Sequence, residues 1–108
     1  MEGLLMYLTD AQVQTLLQTV TDLSAPDSAI CLDLVNRKAL TYGVYEGYFQ
    51  FGCDQPEELL STYGWQATVW QPGDEGANFG RYAEAPSSRA EPDVGRAFLI
   101  RARKTKTV

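Results

Sequence analysis

Residues 28–35 read SAICLDLV, a short and almost wholly apolar run with turn residues before it, Ser24-Ala25-Pro26-Asp27. Such a run predicts a strand buried on both faces, as in a parallel sheet. Its one charge is Asp33. An acid within a buried strand is costly unless it is paired or belongs to a ligand site. The alternative is that Asp33 ends the strand and caps the next segment.

The surrounding elements decide the fold class. Thr9 is a good N-cap, and Gln12 completes a capping box three residues on. Val13, Leu16, Leu17, Val20 and Leu23 follow at helical spacing. They predict an amphipathic helix over residues 10–23. Residues 36–42 suit a short helix, and the aromatic stretch 45–51 has no clear assignment. Asp54-Gln55-Pro56-Glu57 reads as a helix start, with Asp54 as the N-cap and proline in the first turn. Leu59, Leu60 and Tyr63 should face inward, and Gly64 should stop the helix. Residues 65–71 alternate, with Trp65, Ala67 and Val69 on one face. Residues 72–94 form a long loop rich in Gly, Asp, Ser and Pro, and loops of that length are usually functional or disordered. A final strand covers residues 97–102. Helices alternating with apolar strands indicate an α/β fold. The last two strands are candidates for antiparallel neighbours joined by the loop.

The chain has 108 residues, 44% of them hydrophobic and 12 of them aromatic, enough for one domain spanning 1–108. Its net charge of −5 argues against nucleic acid as a partner. Residues 95–108 nonetheless hold Arg96, Arg101, Arg103, Lys104 and Lys106 and no acid. Either this tail attracts acidic surfaces, or it ends a strand and keeps its edge soluble. With no histidine, a Ser-His-Asp triad is excluded. Cys31 and Cys53 are too few for the usual zinc sites, so no metal is expected. A disulfide is allowed by count alone, but nothing marks the chain as secreted. The apolar run 3–8 is too short to span a membrane and lacks a basic flank. The simplest location is the cytoplasm.

Several motifs occur in order: EGLLMYLTxxQV from Glu2, FGCDxPExLL from Phe51, GWxxxVxQPG from Gly64, GANFGRY from Gly76 and RAFLIxAR from Arg96. Together they resemble the C-terminal part of a bacterial class I methyltransferase dependent on S-adenosylmethionine (SAM). The nearest group is the leucine carboxyl methyltransferase-like O-methyltransferases. The resemblance runs from Glu2 to about Lys104. It implies that Glu2 contacts SAM and that Tyr7 lies near the substrate pocket. It also places Asn78, Arg81 and Tyr82, in the loop 76–82, at the border of the active site. No catalytic residue is implied. Read without the resemblance, Glu2 is a solvated acid near a terminus and Asn78 a turn residue.

The family sheet has strand order 3-2-1-4-5-7-6. The resemblance therefore implies a three-layer-type fragment of a Rossmann-like sheet, with mixed strands in local order 5-7-6 and flanking helices. Residues 29–35 would be strand five, residues 66–71 strand six and residues 96–103 strand seven. The glycine-rich turn and ribose-binding acid of an intact enzyme have no counterpart here. Gly73, Gly76 and Gly80 precede a strand and offer no helix N-terminus. The chain alone is therefore expected to be inactive and not to bind SAM, with run 3–8 as the cut exit of an interior strand. In the intact enzyme a methyl would pass from SAM to a carboxylate or hydroxyl oxygen of a small substrate. The alternative is a non-catalytic module. Either way, the naked edge of residues 29–35 would pair with the missing N-terminal half or with a second copy.

Overall fold

Helix α1 spans Asp10–Leu23 in the computed structural model, which describes residues 1–43, 47–74, 86, 88–91 and 93–105. Its capping box is formed in both directions: the Gln12 amide donates to Thr9 Oγ1, and Thr9 N donates to Gln12 Oε1. Val13 and Leu17 are buried, with Leu16 and Val20 packed beside them. Leu23, expected in the same stripe, is 83% exposed.

Three strands follow: β1 (Ala29–Val35), β2 (Trp65–Trp70) and β3 (Ala97–Lys104). Helix α2 (Pro56–Thr62) precedes β2, and 3-10 turns occupy Leu5–Tyr7 and Lys38–Thr41. The sheet order is β1-β3-β2, and β3 is antiparallel to both neighbours. The spatial order of the three segments is the expected one. The mixed pairing is not found, since both ladders are antiparallel.

Burial in β1 also differs from expectation. Leu32 and Leu34 point into the core, while Ala29 and Cys31 are exposed. The strand is covered on one face, as antiparallel edge strands commonly are. Register places Leu32 beside Ile100 and Val69, and Ile30 beside Ala102 and Ala67. These residues join Val13, Leu17, Leu60, Trp65 and Phe98 in the main core. Both α-helices thus lie on one face, giving two layers among the described residues rather than three. The other face carries exposed Arg101, Arg103, Gln66 and Thr68. Among the described residues its Val35 end is covered, by Met6 and Ala39 from the 3-10 turns.

Two contacts tie the sheet to the end of α1. Lys104 Nζ donates to the carbonyls of Thr21 at 2.7 Å and Ser24 at 2.5 Å. A lysine on terminal carbonyls meets both their hydrogen-bonding need and the helix dipole. Trp65 Nε1 donates to Thr21 Oγ1 at 2.9 Å. Among the described residues no helix is long and apolar enough to cross a membrane.

Candidate functional site

The carboxyl end of β1 and the start of β3 form the floor of a hollow of about 500 Å³. Asn36 organises it. This residue is 8% exposed, and its side chain makes three hydrogen bonds. Its Nδ2 donates to Val94 O at 2.7 Å, and its Oδ1 accepts from Arg96 N at 2.9 Å and Ala39 N at 3.2 Å. Asn36 N donates to Arg96 O at 3.0 Å. One asparagine therefore joins β1, the turn Lys38–Thr41 and the entry to β3.

A second wall comes from residues 51–54. Cys53 N donates to Val35 O, and Arg37 N donates to Asp54 Oδ1, both at 2.9 Å. Asp54 is thus not the N-cap of α2. The cap position is Gln55, with no side-chain bond, because the Asp54 carboxylate is spent on Arg37. Gly52 permits the close approach: a Cβ there would lie 2.8 Å from Asn36 O and 2.9 Å from Arg37 Cα. Cys53 is a free thiol, and burial pushes its pKa up, which holds it protonated. Cys31 is free and exposed.

Arg89 closes the third side. Its guanidinium lies 5.0 Å from the centroid of the Phe98 ring and pairs with Glu57 through both carboxylate oxygens. That hydrogen-bonded pairing holds the Glu57 carboxyl below its ordinary pKa. A depressed carboxyl contributes stability above its unfolded-state pKa and loses it as pH falls through its folded value. The Glu57 side chain is 42% exposed, so the contribution is small. Glu57→Gln is expected to lower stability by less than about 1 kcal/mol at neutral pH. The gap to the parent should close in acid, once pH has fallen through the lowered folded-state value. Urea midpoints at both pH values check this, and an undiminished gap in acid contradicts it.

The residues singled out by resemblance are not brought together here. Glu2 is exposed, with no side-chain hydrogen bond or ion pair among the described residues. Tyr7 is 49% exposed and meets Phe49 edge-on at 5.2 Å. Neither lines the hollow. Asn78, Arg81 and Tyr82 lie outside the described residues. The run 3–8 is not uniformly buried: Leu5 and Met6 are inside, and Leu4 and Tyr7 are out. Asp33 neither ends β1 nor caps the next segment. It accepts from Gly3 N at 2.9 Å and pins residues 1–3 beside the strand.

Asn36, Arg89 and Arg96 were missed in the sequence. The available signal was the Asn36-Arg37-Lys38 step at the carboxyl end of an apolar strand, where α/β sheets place ligands. As for SAM, the described residues supply no glycine turn leading into a helix after β1. β1 leads into a 3-10 turn rather than a glycine turn and a helix, and Glu2 points to no cavity described above. Among the described residues, no group of three or more His, Cys, Asp and Glu could hold a metal ion. No protein-family model matches the chain, and no curated protein matches it in sequence.

Proposed function

We propose that this chain is the C-terminal, substrate-side part of a class I SAM-dependent O-methyltransferase. The carrying observation is that the last strand, β3, lies between β1 and β2 in the sheet. This is the spatial order 5-7-6 of the family that the sequence motifs resemble. Residues 1–3 add support. The Met1 ammonium donates to Cys31 O at 2.8 Å, and Gly3 N donates to Asp33, so the segment runs parallel to β1 on its outer edge. Strand four of the family would end there. SAM would supply the methyl as a sulfonium, bound by strands beyond this segment. The chain's own residues would shape the acceptor side, and a carboxylate acceptor would need no base to remove a proton.

Titrating SAM into the 108-residue chain by calorimetry is expected to give no binding at micromolar concentration. Micromolar affinity would show that the segment holds a cofactor site after all. The family reading is checked separately on the DNA upstream of codon 1. It predicts a strand, a glycine-rich turn and a ribose-binding acid in frame or on a neighbouring gene, and their absence counts against it.

A second reading rests on the edge of β1. Alternate residues Ala29, Cys31 and Asp33 turn their peptide groups outward, and among the described residues the Cys31 carbonyl alone is taken, by Met1. A non-catalytic module would use this edge to pair with a second copy. On that reading the chain sediments as a dimer at micromolar concentration, and a clean monomer removes it.

A further inference from the structure

We infer that the hollow at the end of β1 is a binding site for a single carboxylate, with Arg96 as its principal ligand. Arg96 is fixed at its backbone by Asn36. Its guanidinium is aligned by two carbonyls: Nη2 donates to Glu91 O at 3.0 Å, and Nε to Val94 O at 3.5 Å. Its Nη1 is buried with no acceptor among the described residues. A buried donor without a partner is rare in native proteins, and an unrecorded ligand is a usual explanation. A guanidinium held on one side with donors left over is suited to a carboxylate, which it can engage with two parallel bonds.

The remaining lining sets the ligand's charge. Arg37 and Lys38 line the same hollow, and neither head group has a hydrogen bond or ion pair among the described residues. Arg89 is neutralised by Glu57. Against these cations stand Asp54, already bonded to Arg37 N, and the exposed Glu91 and Asp93. Three unneutralised cations and three acids leave no excess for a polyanion. One negative charge placed at Arg96 is the best fit. A hollow of about 500 Å³ is in the range for a small organic ligand. The binding claim stands on this geometry. Its role as the acceptor subsite rests on the methyltransferase reading.

The test is titration of the 15N-labelled chain with acetate at constant ionic strength, with sodium chloride and inorganic phosphate as separate arms. Saturable shifts are expected at residues 36–38, 89–91 and 93–96, with a dissociation constant on the order of 1–10 mM. Arg96→Gln should weaken binding at least about tenfold. Arg37→Gln should weaken it severalfold and decides the matter if Arg96→Gln does not fold. Arg101→Gln, on the far face of the sheet, should change nothing. The site is overturned if acetate shifts do not saturate, match those with chloride, or survive both Arg96→Gln and Arg37→Gln. Phosphate binding at these residues as tightly as acetate overturns the single-charge assignment. No arm contains SAM, so failure here and failure of the methyltransferase reading are separable.

Discussion

Phe98→Ala is expected to destabilise the chain by about 3–5 kcal/mol, the range for removing a buried aromatic. Phe98 is 1% exposed, in the middle strand, with Leu34 opposite it and the Arg89 guanidinium against its ring. Small domains have about 5–15 kcal/mol in total, so this one change consumes a large share. The cavity would open between the core and the hollow, so neither side could close it without shifting Arg89. Urea unfolding followed by circular dichroism measures the loss. A cost below about 1 kcal/mol would mean that Phe98 is not packed as described. Arg89→Gln is the control: an exposed pair contributes only about 0–1 kcal/mol, so most of the Phe98 effect must come from the ring.

The second large effect is at Asn36. Asn36→Ala would strip the acceptor from Ala39 N and Arg96 N and the donor from Val94 O. Each buried group left unpaired costs about 1–3 kcal/mol, and the three share one environment, so their costs do not simply add. A loss of at least about 2 kcal/mol is expected. Asn36→Asp separates the roles. A carboxylate can still accept from Ala39 N and Arg96 N, but it faces Val94 O without a donor. Urea midpoints of the three proteins should rank parent, then Asn36→Asp or Asn36→Ala, with both variants clearly below the parent. Because Asn36 also fixes the Arg96 backbone, hydrogen exchange at Arg96 N should accelerate in Asn36→Ala. Unchanged exchange there would mean that the bond from Arg96 is not maintained in solution.

Local signals were the legible ones. Helix α1 follows the capping box at Thr9 and Gln12 and the apolar spacing from Val13 to Val20, both fixed by neighbours within a turn. The alternation Trp65, Ala67, Val69 likewise survives as the core face of β2. The apolar run of β1 was misread because Ala29 and Cys31 tolerate solvent as well as burial. Apolar composition alone does not distinguish a central strand from an edge strand with small residues outside. Asp54 was misread because its carboxylate had two available donors, its own helix and Arg37, which lies 17 positions earlier. Only the close approach at Gly52 decides between them.

By itself, the sequence determined where α1, α2 and the three strands form, since capping, periodicity and glycine stops act over three or four residues. It also determined that no histidine chemistry is available to this chain. Which face of β1 meets the core, and that Asn36, Arg89 and Arg96 meet at one hollow, were decided only in tertiary structure. Arg89 and Arg96 lie more than 50 positions from Asn36. They reach it because β3 runs back between β1 and β2 and brings its first residues against the end of β1. Long-range pairing of this kind leaves no local trace in any of the segments that it joins.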